Sequence, residues 1–207
     1  MELSYARTGN CARRTWVDQS AVGWIYDRGM MRTVAVFGAS QSVPGDGHYE
    51  EGVRCGRLLA ECGFRVATGG YFGLMEAVSR GAAEAGGRVL GVTAPTIFPG
   101  RSSANAWLDE ESPSVSLVDR IRELAEGTDA SIALWGSLGT ATELLVAWNL
   151  SYVAPFSDVP RKPIVAVGEP WATLIPLLED RLGTTAGLVT LTADVDEAAA
   201  VLRSRLG

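Results

Sequence analysis

The sequence DASIALWGSLGTATE at residues 129–143 changes from an apolar run to a glycine turn and then to a helical pattern. The apolar residues 130–134 predict a buried strand, and the segment from Gly139 onward predicts a helix. The two glycines, Gly136 and Gly139, favour a turn between this strand and this helix. This order, strand then glycine turn then helix, is typical of an α/β fold with a parallel sheet.

The same turn predicts a binding site for a phosphate group. Backbone N–H groups at the start of a helix have no partner within the helix, and the helix dipole is positive there. Thr140 adds a hydroxyl to this site. Glu143 follows one helical turn later and so lies on the same side as Thr140. We therefore expect a phosphorylated small molecule to be held close to a carboxylate.

The rest of the chain repeats this alternation. The pattern predicts strands at 33–37, 64–67, 88–93, 163–167 and 188–192, and helices at 48–62, 72–85, 116–126, 170–182 and 194–205. Residues 95–114 are predicted to form a loop. The expected fold is a Rossmann-like, doubly wound parallel sheet with helices on both faces. Residues 1–31 lack a clear period and are predicted to be a partly disordered N-terminal extension, followed by one nucleotide-binding domain at 32–207.

Composition narrows the class of protein. With 207 residues and 47% apolar content, the chain can bury one substantial core. No apolar run is long enough for a membrane helix and no signal sequence is evident, so we expect a cytoplasmic protein without a membrane partner. A net charge of −6 disfavours a nucleic-acid surface. One histidine and three cysteines without paired spacing make a metal site improbable, and no cofactor is expected.

Two other glycine turns follow predicted strands and should lie at the same sheet edge. They supply candidate contacts for the ribose or base, each with the alternative that the glycine only serves backbone geometry or packing. The candidates are Gly38, Ser40, Gly69, Gly70, Gly73 and Met75. Arg120 lies on the helix before the central strand and could neutralise phosphate or hold a leaving base, or pair with Asp119 or Glu123 at helical spacing.

These motifs resemble those of the Lonely Guy family of nucleotide phosphoribohydrolases, formerly labelled lysine decarboxylases. The family motif PGGxGTxxE matches residues 135–143, and GGGxxGLMG is similar to residues 68–76. The arginine of the family's RK pair falls on Arg120. Proline and the second glycine of the first motif are replaced by Trp135 and Ser137, and the lysine after the arginine is Ile121. Arg122 or Arg101 could supply the missing positive charge.

The resemblance implies cleavage of the N-glycosidic bond in cytokinin riboside 5′-monophosphates or AMP. It implies that Arg120 and Glu143 are catalytic and that the 5′-phosphate is held by Gly136, Ser137, Leu138, Gly139 and Thr140. A carboxylate suits this chemistry because the reaction passes through an oxocarbenium-like state. The family also implies a homodimer with the pocket near the subunit boundary.

Two other functions stay open from the residues. The altered motif and the lost lysine allow a nucleotide-binding or carrier protein without catalytic activity. A dehydrogenase is a weaker alternative, because the dinucleotide fingerprint is not reproduced after the first strand.

Overall fold

The computed structural model describes residues 31–98 and 103–207. The predicted N-terminal extension therefore lies outside the described residues, except for Met31. Arg101, a candidate for the missing positive charge, lies outside them as well. The predicted division into an extension and one domain stays a prediction.

The described chain alternates strands and helices as the sequence predicts. The strands are β1 (Thr33–Phe37), β2 (Arg65–Thr68), β3 (Val89–Thr93), β4 (Glu110–Pro113), β5 (Ala130–Ala133), β6 (Ile164–Val167) and β7 (Thr190–Thr192). The helices are α1 (Gly47–Glu61), α2 (Leu74–Glu84), α3 (Leu117–Glu126), α4 (Leu138–Val153), α5 (Trp171–Leu182) and α6 (Val195–Leu206). A short 3₁₀ turn, Ala154–Phe156, continues α4.

All seven strands pair in parallel, in the order β4-β3-β2-β1-β5-β6-β7. The order runs outward from β1 in both directions, so it reverses between β1 and β5. In such sheets ligands bind beyond the carboxyl ends of the strands at this reversal. Val34 pairs with Ala130 and Phe37 with Ala133, so β1 and β5 end together. The predicted doubly wound α/β fold is confirmed.

The prediction of a continuous loop at 95–114 is wrong at its end, where Glu110–Pro113 forms the edge strand β4. Leu90 pairs with Glu110 and Thr93 with Pro113. The segment reads EESP, with no apolar residue, and three of its four residues are exposed. Such an exposed edge strand carries no hydrophobic signal, because it covers the edge of β3 with polar and charged side chains.

Helices cover both faces of the sheet. Because each helix follows a parallel strand, its N-terminus lies near the carboxyl edge of the sheet. On one face α1, α2 and α6 bury Leu59, Val78 and Leu202 against the strands. On the other face, side chains that include Leu124, Trp148 and Ile175 belong to a second core from α3, α4 and α5. Helix α4 therefore begins at the carboxyl edge of the sheet. None of the helices in the described ranges is long and apolar enough to cross a bilayer.

Candidate active site

The turn between β5 and α4, residues 136–140, contains the start of α4, and we call it the cradle. The first helical hydrogen bond runs from Ala141 N to Ser137 O over 3.0 Å. The three amides before Ala141 therefore have no acceptor within the helix. The Ser137 side chain does not cap the helix. Of these three residues, Leu138 and Gly139 are exposed and Thr140 is buried, so the start of α4 is open to solvent at Leu138 and Gly139.

Gly136 and Thr140 are packed against each other inside the cradle. A Cβ atom at Gly136 would lie 2.1 Å from the Thr140 hydroxyl oxygen, so only glycine fits there. Thr140 is buried, which places its side chain beneath the turn. The Leu138 side chain is exposed. The sequence thus fixes the shape of the cradle through one close contact.

Arg120 and Glu143 form a buried ion pair directly behind the cradle. The Arg120 Nη1 atom donates to Glu143 Oε1 over 3.0 Å. Arg120 is 6% exposed and Glu143 is 9% exposed. Glu143 lies one helical turn beyond Thr140, and both face inward as the helical period predicts. The pair expected from the sequence is therefore brought together.

The guanidinium of Arg120 is held mainly by protein atoms. Its Nε donates to Val92 O over 2.8 Å, and its Nη2 donates to Gly69 O over 3.2 Å and contacts Met75 Sδ at 3.7 Å. With the bond to Glu143, these contacts use four of the five N–H donors of an arginine. Arg120 is therefore arranged to fix the position of Glu143.

Gly69 permits this arrangement. A Cβ atom at Gly69 would lie 1.8 Å from Arg120 Nη2 and 2.5 Å from Met75 Sδ. Any larger residue would push the guanidinium away from Gly69 O and Glu143. Of the residues predicted to contact ribose or base, Gly69 and Met75 thus lie directly beside the ion pair.

Two opposing effects set the protonation of Glu143. Burial raises the pKa of its carboxyl group, and the charge and hydrogen bond of Arg120 lower it, with the net change upward. Removal from water disfavours the ionised form, whereas a nearby positive charge favours it. A carboxyl with a raised pKa in a site of this kind is a candidate for acid–base or electrostatic catalysis.

The other predicted ribose or base residues line two adjoining loops after β1 and β2. A Cβ atom at Gly73 would lie 2.5 Å from the carbonyl carbon of Ser40, and one at Gly38 would lie 2.7 Å from Leu74 Cβ. The glycines at 38 and 73 therefore serve close packing. Gly70 has a φ of +75° and lies against Thr93.

Asn105 is a site-forming residue that the sequence did not indicate. Its backbone N donates to Gly70 O over 2.8 Å and its Nδ2 donates to Tyr71 O over 3.0 Å. The Tyr71 hydroxyl accepts from Ala94 N over 2.8 Å. These bonds hold the loop that carries Gly69. A lone asparagine within a predicted loop gives no sequence signal for this role.

A cavity of about 480 Å³ lies beside the cradle and does not contain the ion pair. Its walls include His48, Glu51, Trp135 and the turn Val167–Pro170. The His48 ring stacks on Trp135 with centroids 4.4 Å apart, whereas Trp148 is buried in the core. Arg120 and Glu143 remain the reactive candidates, because they form a buried pair of opposite charges and Arg120 also contacts Gly69 and Met75. The described residues hold no group of metal-binding side chains.

Comparison with known proteins identifies the family. The model of the SLOG cluster4 family matches residues 31–154. The chain belongs to the SLOG cluster4 family. This match includes β1 to α4, and with them the cradle, Arg120 and Glu143. The resemblance to Lonely Guy proteins is confirmed.

Relatives with assigned names come from bacteria and plants. This SLOG cluster4 chain is 31% identical over 140 residues to the cytokinin riboside 5′-monophosphate phosphoribohydrolase of Mycobacterium tuberculosis, covering 67% of this chain and 71% of that one. It is 37% identical over 120 residues to a probable cytokinin riboside 5′-monophosphate phosphoribohydrolase of Oryza sativa subsp. japonica, covering 56% and 48%. The matched region spans about half the length of the plant relatives.

A solved structure shares the fold. The molybdenum cofactor binding protein of Rippkaea orientalis aligns with a TM-score of 0.70 and 20% identity, covering 86% of this chain and 99% of that one. At this identity the likeness supports the Rossmann-like architecture alone.

Proposed function

We propose that this chain is a nucleoside 5′-monophosphate phosphoribohydrolase that releases a free base and ribose 5-phosphate. The observation that carries the proposal is the buried Glu143 carboxylate, held by Arg120 at 3.0 Å one helical turn behind the cradle. A nucleotide whose phosphate lies at the start of α4 would bring its sugar toward this carboxylate. The names of the Mycobacterium and rice relatives support the same activity.

The proposed reaction needs one water molecule. The bond between C1′ of the ribose and the base nitrogen breaks, and its electron pair leaves with the base. Glu143 stabilises the positive charge that develops at C1′. The water oxygen then bonds to C1′, and one water proton ends on the base nitrogen. Arg120 holds the carboxylate in place throughout, because its own contacts anchor it to β2 and β3.

The cradle and the glycine loops have separate proposed roles. Residues 136–140 hold the 5′-phosphate through backbone amides and the helix dipole. Gly69 and Met75, beside Arg120, border the ribose and base, and the loop residues Gly38, Ser40, Gly70 and Gly73 shape that side. An AMP-like or cytokinin riboside monophosphate is the proposed substrate.

A nucleotide panel tests the activity. Purified protein is incubated with AMP, isopentenyladenosine monophosphate, CMP, GMP and UMP, and free base and ribose 5-phosphate are measured. Glu143→Gln, which keeps the size of the side chain, should lower kcat by about 10²–10⁴-fold, the usual contribution of a positioned acid or base. Glu61→Gln, at the far end of α1, serves as the matched control and should act like wild type. No product from folded protein across the panel would reject the hydrolase.

A second candidate is a nucleotide-binding protein without turnover. The observation that favours it is the burial of Ile121, which occupies the position of the family lysine and adds no charge. Arg122, a possible substitute, is exposed and lies 3.6 Å from Asp119. This candidate predicts saturable nucleotide binding with no product, and Glu143→Gln with nearly unchanged affinity.

We also propose that the protein forms a homodimer through one face of α4. Leu138, Leu145 and Tyr152 are exposed and recur every seven residues, and Phe156 follows them with 83% of its surface exposed. Residues at this spacing lie on one stripe of a helix. Leu138 belongs to both this stripe and the cradle, so pairing would place the pocket near the boundary between subunits. A cytoplasmic location stays a prediction.

A further inference from the structure

The cavity beside the cradle has a size that suits a small ligand. Helix α1 provides His48 and Glu51, the end of β5 provides Trp135, and the turn between β6 and α5 provides Val167–Pro170. Its volume of about 480 Å³ falls in the range of about 300–1,000 Å³ typical of small-molecule sites. The mechanism proposed above uses none of these side chains.

Strand order separates the cavity from the ion pair. Arg120 donates hydrogen bonds to Gly69, just after β2, and to Val92 in β3. The cavity lies at the carboxyl ends of β5 and β6. From β2, beside Arg120, to β6 there are three strand spacings, or about 14 Å at about 4.8 Å each. Glu143 follows β5, but it lies on α4, on the face of the sheet opposite to α1. A mononucleotide that reaches from the cradle to Glu143 extends toward β2. The cavity is therefore free for a different group.

The side chains of the cavity favour a positive charge. Glu51 and Glu169 contribute two carboxyl groups, and no lysine or arginine is among the residues that line the cavity. The His48 ring covers one face of Trp135, with an angle of 7° between the rings, and its Nδ1 atom lies 3.9 Å from Glu51 Oε2. Tryptophan attracts cations through its ring electrons, and quaternary ammonium groups are recognised in this way. A phosphate would be repelled by the two carboxylates.

The walls are fixed by the protein's own hydrogen bonds. Asp46 caps α1 by accepting from Tyr49 N over 2.6 Å. Gly168 N donates to Thr192 O over 2.9 Å, and Glu169 Oε1 accepts from Thr173 Oγ1 over 2.9 Å. These bonds hold the start of α1 and the turn after β6 in place at two walls of the cavity. Burial raises the pKa of Glu51 although His48 lowers it, so a bound cation would favour the ionised carboxylate.

We propose that this cavity is a second ligand site that binds an organic cation, by the charges of Glu51 and Glu169 and by contact with the face of Trp135 that His48 does not cover. The cation arrives either as a free molecule or as the far end of a phosphate ester whose phosphate occupies the cradle. Both sources present the same chemistry to the cavity. The proposal does not depend on the hydrolase activity.

Calorimetric titration of the full chain tests the site with choline and its neutral isostere, 3,3-dimethylbutanol. Choline should bind about 3- to 10-fold more tightly, the range expected for a cation on a partly exposed ring. Glu51→Gln and Glu169→Gln should each weaken choline binding, and Glu61→Gln, which removes the same charge elsewhere, should not. Equal binding of the two probes, absence of choline binding, or an equal loss in Glu61→Gln would overturn the proposal.

Phosphocholine and inorganic phosphate distinguish the two sources. If the cation is part of a phosphate ester, phosphocholine should bind more tightly than either choline or phosphate. Glu169→Gln should then reduce the affinity for phosphocholine to that for phosphate. If the cation is free, phosphocholine should bind no more tightly than choline. Choline binding with no nucleotide cleavage would reject the hydrolase and retain the cavity site, and cleavage without choline binding would do the reverse.

Discussion

At the scale of residues, the site depends on a charge pair removed from water. Burying two charges is costly, and their attraction repays this only when hydrogen bonds satisfy the remaining donors and acceptors. Arg120 meets that condition through Val92 O and Gly69 O as well as Glu143. Its position is therefore determined by three separate parts of the chain, which makes the direction of the Glu143 carboxylate a property of the fold.

Arg120→Gln should move the acid limb of the pH profile of AMP cleavage to higher pH. We take the ionised Glu143 as the active form, so activity is lost as the pH falls through its pKa. That pKa is already raised by burial, and Arg120 opposes the rise. Removing the positive charge of Arg120 leaves the effect of burial unopposed, so the pKa of Glu143 rises further. Arg120→Lys, which keeps the charge, should restore the limb toward wild type. A limb that stays in place or moves to lower pH in Arg120→Gln would contradict this electrostatic role.

The same pair makes a prediction about stability. Arg120→Met leaves Glu143 buried without a counter-charge, and breaking a buried pair in this way costs about 3–5 kcal/mol of unfolding free energy. The double variant Arg120→Met with Glu143→Leu removes both charges and should recover much of that loss. Urea denaturation of the wild type, both single variants and the double variant measures the coupling. Additive losses would show that the two side chains do not interact.

At the scale of elements, the sequence predicts those strands and helices whose residues form apolar or periodic patterns. The strands β1, β5 and β6 are found within one residue of the predicted bounds, because buried parallel strands read as continuous apolar runs. The polar edge strand β4 gives no such signal. The ion pair could be anticipated, since the motif resemblance singles out both residues. The cavity could not be anticipated, because His48 and Glu169 are far apart in the sequence and only the order of the strands brings them to the same cavity.

The start of α4 offers a matched pair of glycine substitutions. Gly136→Ala forces a Cβ atom against the Thr140 side chain and should destabilise the protein by about 1–3 kcal/mol, as overpacking does. A Cβ atom at Gly139 meets nothing within 4 Å, so Gly139→Ala should stabilise the helix by about 0.5–1 kcal/mol. Chemical denaturation of both variants measures this. Gly136→Ala should also raise the KM for AMP, because its Cβ atom distorts the cradle. Equal stability changes would show that the close contact is relaxed in solution.

At the scale of the whole molecule, apolar surface outside the core points to assembly. Helix α4 buries Leu144 and Trp148 and exposes Leu138, Leu145 and Tyr152 on a stripe next to that buried face. A helix whose apolar residues extend beyond its buried face is usually covered on that further stripe as well. A net charge of −6 keeps separate molecules apart in general, so a specific pairing must come from such a patch.

Leu145→Glu should convert the proposed dimer to a monomer. The substitution places a charge in the middle of the α4 stripe, where an interface of about 1,000 Å² or more would have to desolvate it. Leu145 is partly exposed in the single chain, so the fold should tolerate the change, and the melting temperature provides the check. Light scattering coupled to size-exclusion chromatography measures the mass.

Leu182→Glu, at the end of α5, is the matched control and should leave the mass unchanged. Because Leu138 joins the stripe to the cradle, the monomer should also show a higher KM for AMP. A wild-type mass equal to one chain, or a dimer that survives Leu145→Glu, would reject this face as the interface.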